Sequence, residues 1–481
     1  MASFNGQHFD VVIIGAGMSG LAAGIRLAYF GRRTLVIERH GTAGGLNSFY
    51  NIGGRCFDVG LHAITNYAPP NAKGVPLSKI LRQLRLRYED LALVPQLGSA
   101  IHFAGKRIRF SNDFSLFETE IRREFPRQID AFCALDAAVR KFCDTALDAP
   151  ATSARAFVAN WINDPVLADT LFLPLCYYGS ARENDMDLPQ FVTLWKSIFH
   201  EGFARPEGGV RRIIRALLDK YREAGGVRLM NRAVKRLRTE NGRVCAVELD
   251  NGDIFTADLV FSSAGLPETF HLCGVTPDPA IAGTLAFCET ITVLDKQPRE
   301  DFGWGDTILF FCDTENFRYE AVRGSDLVDP TSGVICIPNN YVFTEKGALP
   351  EGWLRVTARA NFAAWRTLRD APRDATAYTT AKREWHAALN TVALRHLPQV
   401  PVGVFERSIV ARDMFTPPTV ERFTGRLNGA IYGTPKKSRD GRTPWQNLFL
   451  CGTDQGFLGV TGALLSGISI ANLYGLIDST R

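Results

Sequence analysis

The hydrophobic pattern near the start of the chain predicts a strand, a helix and a second strand. Residues 10–14 are mostly β-branched and apolar, which is typical of a strand buried on both faces of a parallel sheet. The apolar spacing over 19–30 predicts a helix, and Gly31 ends it before a second apolar strand over 34–38. The pattern therefore predicts a βαβ unit.

The glycines between the first strand and the helix have the spacing of a dinucleotide-binding turn. Gly15 permits the tight turn, Gly17 lets the backbone approach a pyrophosphate, and Gly20 lets the helix pack closely on the strand. Glu38 ends the second strand, and its carboxylate can accept both ribose hydroxyls of an adenosine. An acid at this position disfavours a 2′-phosphate, so we expect a dinucleotide without one.

Later apolar segments return the chain to the same sheet. Residues 210–221 have helical spacing and precede a predicted strand over 227–230. Asn-Gly pairs at 241–242 and 251–252 mark two hairpin turns among short strands. The segment 259–265 then predicts a further buried strand, so the domain is predicted to be discontinuous.

The last apolar segment repeats the order of strand, glycine turn and helix. Residues 447–451 predict a buried strand, and a Gly-Thr-Asp break follows it. Gly459 precedes a helix predicted to run to about residue 476. We expect the first amides of this helix, near 461–463, to point at the far end of the dinucleotide site.

The segment after Glu38 separates a flavin site from a simple nicotinamide site. The pair Gly44-Gly45 follows the acid, and an F-D-x-G motif over 57–60 comes after a loop. This order resembles the two-dinucleotide-binding-domain flavoproteins, in which the glycine pair passes beside the FAD diphosphate and ribityl chain. The resemblance implies an α/β fold with a Rossmann-type FAD-binding domain and FAD as the cofactor.

All the motifs together resemble the phytoene desaturase, carotenoid isomerase and retinol saturase superfamily, which is related to the amine oxidases. The resemblance covers residues 8–66, 204–266 and 428–476. The glycine pair is followed by Leu-Asn-Ser, without the arginine usual in bacterial phytoene desaturases and amine oxidases, which is closer to the isomerase and saturase branches. The resemblance as a whole implies an FAD-dependent oxidoreductase that desaturates, saturates or isomerises carbon–carbon bonds of a long apolar polyene or isoprenoid.

The resemblance also assigns residues to the site. The backbone at Val234 is expected to face the adenine, and the helix start near 461–463 suits the electron-rich edge of a reduced flavin. His62 follows the F-D-x-G motif closely and is the candidate for catalysis, with a purely structural histidine as the alternative. The expected cofactor-binding residues are Gly15, Gly17, Ser19, Gly20, Glu38, Arg39, Gly44, Gly45, Leu46, Asn47, His62, Val234, Ala264, Gly452, Asp454, Gly459, Thr461, Gly462 and Ala463.

The positions of these motifs divide the chain into two predicted domains. The FAD-binding domain comprises 1–75, 204–275 and 440–481, and a discontinuous α+β substrate-binding domain comprises 76–203 and 276–439. Aromatic residues recur in the second domain, where they either line an apolar tunnel or fill the core. Examples are Phe191, Trp195, Phe199, Phe310 and Phe311.

Residues 77–87 combine apolar and basic positions. Leucines and an isoleucine recur at helical spacing beside one lysine and three arginines. The segment fits a basic amphipathic helix on a membrane surface, or a surface helix with a solvated charged face.

Composition and charge exclude several other classes of protein. The 55 Lys and Arg exceed the 50 Asp and Glu by only five over 481 residues, so no nucleic-acid partner is indicated. Ten cysteines without a CxxC pair predict reduced thiols and no zinc site. No HExxH, GxSxG or GxxxxGK[ST] motif is present. Without a secretory signal or a long apolar span, the sequence predicts a cytoplasmic protein that contacts membranes at most peripherally.

Two alternatives to the polyene enzyme remain at this point. An amine oxidase of the same fold would have an aromatic cage near the flavin, and Tyr432 is a candidate for it. A non-catalytic lipid or prenyl carrier would resemble the Rab escort factors, which have a related fold without flavin. The motifs favour no particular oligomeric state.

Overall fold

The computed structural model describes residues 5–60, 62–149, 151–371 and 375–477. Leu61, which lies between the F-D-x-G motif and His62, is outside the described residues. So are the outermost residues of the predicted FAD-binding domain, 1–4 and 478–481.

The first large sheet contains the predicted βαβ unit. His8–Ile14 pairs in parallel with Thr34–Ile37 on one side and with Ile254–Ser262 on the other. Val11 and Ile13 pack with the helices on one face, while Val12 and Ile14 pack in a separate cluster on the other face. The sheet consists, in order, of Val234–Glu240, Arg243–Leu249, Ile254–Ser262, His8–Ile14, Thr34–Ile37 and Val227–Leu229, and Leu448–Leu450 pairs with Ile254–Ser262.

The connections of this sheet agree with the sequence pattern. The predicted meander is an antiparallel pair, Val234–Glu240 with Arg243–Leu249, which continues into Ile254–Ser262. The helices Met18–Tyr29 and Gly459–Ile470 pack together on one face, and each follows a strand and a glycine turn. The α/β fold with a Rossmann-type FAD-binding unit is therefore confirmed, with element ends within a few residues of those predicted.

A second large sheet is mostly antiparallel and comes from the intervening segments. Ala286–Leu294 lies within it, and all nine of its residues are buried. The sheet consists, in order, of Ile409–Phe415, Ala286–Leu294, Gly352–Ala360, Val328–Cys336, Ile308–Cys312, Ser99–Phe103 and Lys106–Phe110. Two small sheets pair Phe49–Ile52 with Arg55–Asp58, and Leu93–Pro95 with Ala204–Pro206.

The helices cover both sheets. The α-helices are Met18–Tyr29, Pro76–Leu84, Tyr88–Leu91, Phe114–Glu124, Ile129–Lys141, Ala154–Val158, Pro165–Gly179, Leu188–Trp195, Val210–Glu223, Leu266–Leu272, Pro298–Phe302, Phe362–Asp370, Ala375–His396, Val404–Ser408, Pro417–Thr424 and Gly459–Ile470. Short 3₁₀-helices are Gly45–Asn47, Pro279–Ile281, Leu427–Gly429 and Thr453–Gln455, and short π-helices are Lys196–His200 and Ala471–Gly475. Among the described helices, none is both long and apolar enough to cross a lipid bilayer.

For two sets of apolar residues the structure favours one of the two alternatives that the sequence left open. The apolar face of Pro76–Leu84 is buried in the core beside the βαβ unit, and its charged side meets solvent, as a surface helix with a solvated charged face requires. The example aromatic residues of the second domain are packed in two core clusters rather than along a cavity; they are Phe191, Trp195, Phe199, Phe310 and Phe311. The predicted domain boundaries stay a prediction, although the two large sheets draw their strands from the two predicted sets of segments.

Candidate active site

A cavity of about 530 Å³ is lined by residues from both large sheets. Its volume is typical of a small-molecule or cofactor site. One part, the glycine end, is formed by Gly15, Gly17, Glu38, Gly44 and Gly45. Another part, the aromatic end, is formed by Tyr177, Tyr178, Phe287, Ile431 and Tyr432.

The first turn of the glycine end needs glycine for different reasons at each position. Gly15 has φ +96°, and a Cβ there would lie 2.4 Å from Ser263 Oγ. A Cβ on Gly20 would lie 2.0 Å from the Gly15 carbonyl oxygen, so Gly20 serves the packing of helix on strand and does not line the cavity. Gly17 differs, because a Cβ there would meet no atom within 4 Å. The space in front of Gly17 is open to a ligand.

Backbone amides hold the Glu38 carboxylate in place at the end of its strand. Ala16 N donates to Oε2 at 2.8 Å, and His40 N donates to Oε1 at 2.9 Å. Each carboxylate oxygen keeps a further lone pair, which can accept from a hydroxyl. Glu38 is thus fixed in the orientation that ribose recognition requires.

Arg39 lines the cavity but also contacts the helix Pro417–Thr424. Its Nη2 donates to the carbonyls of Glu421 and Arg422 at the end of this helix. A guanidinium favours the carbonyl end of a helix because of the helix dipole. Arg39 therefore closes this side of the cavity.

The second glycine pair lies against the first turn. Gly44 forms a parallel bridge with Gly17, and its amide donates to the Ala16 carbonyl at 2.9 Å. Gly44 has φ +117°, and a Cβ on it would lie 2.7 Å from Ile214 Cδ1. Only glycine fits there. Ser19, Leu46, Asn47, Val234 and Ala264 also line the cavity, as do Gly452, Gly459 and Ala463.

Three expected residues of the C-terminal segment do not line the cavity. Thr461 is buried and donates its hydroxyl to the Thr65 carbonyl at 3.2 Å. A Cβ on Gly462 would lie 2.9 Å from the Phe457 backbone, so this glycine permits helix packing.

Asp454, the third of them, contacts only protein groups. Its carboxylate accepts from Leu266 N at 2.6 Å, Thr434 N at 3.0 Å and Arg426 Nη1 at 3.1 Å. Burial alone would raise the pKa of Asp454, but the nearby cations and amides lower it overall. The structure thus gives Asp454 the role of joining the loop before Thr434 to the cofactor domain.

The aromatic end contains two tyrosine hydroxyls, those of Tyr432 and Tyr178. The Tyr432 hydroxyl donates to the Tyr177 carbonyl, so it is already paired. The Tyr178 hydroxyl is buried and has no hydrogen-bond partner among the residues that the structure describes. A buried hydroxyl without a partner costs about 1–3 kcal/mol, so this group is available to a ligand.

His62 lines the cavity next to the aromatic end and binds a buried acid. Its Nε2 lies 2.7 Å from Glu289 Oε1 and 3.3 Å from Thr357 Oγ1. Arg355 clamps the same acid, with Nε 2.6 Å from Oε1 and Nη2 2.8 Å from Oε2. Burial alone would raise the pKa of Glu289, but Arg355 and His62 lower it to about 2. Glu289 is therefore an anion at neutral pH.

The arrangement fits FAD. Open space lies in front of Gly17 at the N-terminus of the helix Met18–Tyr29, where a diphosphate would find free amides and a favourable dipole. Glu38 is held for the ribose, and the cavity continues to the aromatic end. In the described part of the chain, no group of three His, Cys, Asp or Glu residues is placed to hold a metal ion.

Comparison with known proteins agrees with this geometry. The family model described as flavin containing amine oxidoreductase matches residues 18–269, which is more than half of the chain. The chain belongs to this family. It is an FAD-dependent oxidoreductase, and FAD is its cofactor.

Several curated relatives of this flavin oxidoreductase are carotenoid enzymes. A phytoene dehydrogenase from Streptomyces griseus is 26% identical over 369 residues, which is 70% of each chain. A phytoene desaturase (lycopene-forming) from Pantoea ananas is 26% identical and covers 54% of this chain and 56% of its own. Prolycopene isomerase 1 of an Oncidium hybrid is 24% identical, over 55% of this chain and 49% of its own. Apart from the first, these matches span about half of the relatives' length.

Solved structures share the fold of the flavin oxidoreductase at low identity. An oxidoreductase from Methanosarcina mazei has a TM-score of 0.65 at 17% identity, covering 96% of this chain and 99% of its own. A putrescine oxidase with putrescine bound has a TM-score of 0.60 at 17% identity, covering 97% and 98%. These structures support the fold alone.

Tyr178, Glu289 and Arg355 are among the residues of this flavoprotein's site that sequence reasoning missed. A signal for two of them was present, because Glu289 and Arg355 are charged residues within strands that are mostly buried. A charge in a buried strand needs a partner, which predicts a pair but not which residues form it. Tyr178 carries no such signal, since it lies in a helix rich in apolar residues.

Proposed function

We propose that this flavin oxidoreductase acts on carbon–carbon bonds of a long apolar polyene or isoprenoid, by desaturation, saturation or isomerisation. The names of its curated relatives support this substrate class, since they include phytoene, zeta-carotene and prolycopene enzymes. The matches are 24–26% identical, so the class of substrate rather than a particular carotenoid is proposed.

The chemistry of the aromatic end is the observation that carries the proposal. Tyr177, Phe287 and Tyr432 contribute ring surfaces, with 5.9 Å between the ring centres of Tyr177 and Phe287 and 5.7 Å between those of Phe287 and Tyr432. Glu289, a buried acid that lines the same cavity, is already paired with Arg355 and His62. Such a wall offers an uncharged chain dispersion contacts, and the paired Glu289 is not free to bind a cation.

The protein's part in the reaction follows from these contacts. Bound FAD supplies the exchange of a hydride with a carbon of the chain. The glycine end holds the cofactor through amides and Glu38, and the aromatic end holds a chosen carbon and keeps water away. A nearby protein group or solvent must exchange the matching proton, and His62 is our candidate because it lines the cavity.

An amine oxidase is the second candidate, and Tyr432 is the observation that favours it. This tyrosine lines the cavity close to Phe287, as an aromatic cage would require. The ion pair of Glu289 opposes it, because that pair leaves a protonated amine without a counter-charge at the aromatic end. A non-catalytic carrier is disfavoured, since the intact glycine end retains space for the cofactor.

The experiment compares polyenes with amines on the purified holoprotein. Phytoene, zeta-carotene and prolycopene in liposomes are offered to oxidised and to reduced enzyme without oxygen. We expect a polyene to change the flavin's visible spectrum or to be isomerised, with the product identified by chromatography and mass spectrometry. Putrescine and other amines form the control arm. Flavin reduction by an amine, with every polyene unchanged, would contradict the proposal in favour of the amine oxidase.

Delivery of such a substrate leads to a second proposal, peripheral contact with a membrane. A polyene dissolved in lipid is already in apolar surroundings, so a direct transfer avoids its exposure to water. The helix Pro76–Leu84 is not the contact, because its apolar residues are buried. Co-sedimentation of the holoprotein with liposomes tests this proposal, and absence of binding to any liposome would contradict it.

A further inference from the structure

The register of the second sheet places three polar side chains on one face beside the cavity. Ala286–Leu294 and Gly352–Ala360 pair so that Glu289 lies opposite Thr357, and Ile291 lies opposite Arg355. Residues two apart on a strand share a face, so Glu289, Thr357 and Arg355 all point to the same side. Glu289 and Thr357 line the cavity there.

The loop that carries His62 is fastened to this face at two points. The Asp58 carbonyl accepts from Arg355 Nη2 at 3.1 Å, and the His62 carbonyl accepts from the Tyr341 hydroxyl at 2.8 Å. Asp58 is itself paired with the buried Arg205. These two hydrogen bonds, at Asp58 and at His62, hold the loop in the position that brings the imidazole next to Glu289.

The charges of this group determine which nitrogen of His62 carries the proton. Arg355 donates to both oxygens of Glu289, and both side chains are nearly or fully buried. The resulting carboxylate can only accept, so the Nε2 atom at 2.7 Å must be the donor. No residue that the structure describes forms a hydrogen bond with Nδ1 of this ring, whose side chain is 15% exposed.

We propose that Glu289, held by Arg355, fixes His62 in the tautomer with the proton on Nε2 and thereby makes Nδ1 the proton-accepting atom of the site. This inference rests on the function proposed above. His62 is the catalytic residue in it, and Glu289 and Arg355 are positioning residues. The arrangement follows the same logic as a carboxylate that orients a histidine base.

His62 can exchange the proton in both a desaturation and a saturation. In a desaturation, one carbon gives up a hydride to the oxidised cofactor, and Nδ1 takes a proton from the neighbouring carbon. The electron pair of that second C–H bond becomes the new carbon–carbon double bond. His62 is then an imidazolium beside the Glu289 anion, and it releases its proton to solvent. In a saturation, the imidazolium returns the proton to the second carbon, and the first carbon regains the hydride whose exchange bound FAD would supply.

The first test measures the tautomer itself. Long-range ¹H–¹⁵N NMR of histidine-labelled holoprotein at alkaline pH distinguishes a protonated from an unprotonated ring nitrogen, and the His62→Gln variant identifies the His62 signals. We expect Nε2 protonated and Nδ1 unprotonated. The opposite tautomer, or an equal mixture, in the wild-type protein overturns the inference whatever the substrate proves to be.

The second test removes the charge of the positioning acid. Glu289→Gln keeps the shape of the side chain, but its amide can both accept and donate hydrogen bonds and so can pair with either tautomer of His62. We therefore expect a mixture of tautomers and a fall in kcat of about 100-fold. KM and flavin content are expected to stay within about twofold. Glu289→Asp restores a carboxylate and should recover the Nε2-protonated tautomer and part of kcat.

Glu120→Gln is the matched control, because Glu120 is likewise a buried carboxylate paired with arginine but does not line the cavity. We expect it to keep the wild-type tautomer. A Glu289→Gln protein with wild-type tautomer and kcat would overturn the inference while the proposed function stands. If no polyene reacts with wild type, the NMR result alone decides the tautomer, and the substrate proposal fails separately.

Discussion

The glycine end and the aromatic end of the cavity are built on different principles. Backbone atoms form most of the glycine end, where Gly17, Gly44 and the amides around Glu38 lie within a short stretch of the chain. Side chains form the aromatic end, and they come from positions as far apart as His62, Tyr178 and Tyr432. Under the proposed function, main-chain geometry would recognise the cofactor, whereas side-chain packing would recognise the substrate.

The largest expected effect is loss of the cofactor on filling the glycine end. In Gly17→Val the side chain would enter the open space that we assign to the diphosphate, so we expect a folded protein with no measurable FAD. Flavin content per protein after purification measures it.

Gly305→Val is the control for this substitution. Gly305 also has open space at its Cβ position and no positive φ, but it lies away from the cavity. Normal FAD occupancy in Gly17→Val, or equal loss in both variants, would mean that the glycine end does not hold the diphosphate.

A smaller effect is expected from Glu38, whose carboxylate we assign to the ribose hydroxyls. Glu38→Gln preserves the shape but loses charge-assisted hydrogen bonds worth about 1.5–3 kcal/mol, so FAD should bind about 10- to 100-fold more weakly. Titration of flavin-free protein with FAD measures the change. The exposed Glu300→Gln serves as the control, and an unchanged Kd for Glu38→Gln would refute the assignment.

The aromatic end is expected to respond in stability rather than in FAD affinity. Tyr178→Phe removes a buried hydroxyl that has no partner in the described residues, so flavin-free protein should gain about 1–3 kcal/mol in free energy of unfolding. Tyr319→Phe is the matched control, because its hydroxyl donates to the Ser180 carbonyl at 3.0 Å and its removal should destabilise. Equal destabilisation by both substitutions in denaturant would contradict the contrast between the two tyrosines.

The smallest effect is expected on thermal stability at low pH, and it involves His102 in the second large sheet. Burial, with the charges of Arg107 and His396, lowers the pKa of His102 to about 4. The unfolded chain therefore takes up this proton at a higher pH than the folded protein, so stability from this group is lost as pH falls from about 6.5 to about 4. We expect the Tm to fall over that window and the fall to be shallower in His102→Gln, as differential scanning calorimetry can measure. An identical slope in the variant would exclude His102 as the cause.

Much of the glycine end could be predicted from the sequence because it depends on local geometry. The glycines at positions 15, 17 and 44 and the acid at position 38 lie within or just after one βαβ unit, so their spacing carries the information. The buried strands of the first large sheet could also be predicted, since short apolar runs report burial directly. The strands of the second large sheet were not predicted from the sequence. Individual site residues were harder to predict, because Asp454 and Thr461 hydrogen-bond to other parts of the protein and do not line the cavity.

By itself the sequence determined the βαβ unit and the FAD-binding motif, because both depend on residues close together in the chain. Only the tertiary structure decided what surrounds His62, since the register between Ala286–Leu294 and Gly352–Ala360 brings Glu289 and Arg355 to it across more than 200 residues. It also decided that Phe191 and Trp195 fill the core while Tyr178 faces the cavity. Aromatic residues look alike in a sequence, and which of them meets a cavity is settled by packing between distant segments.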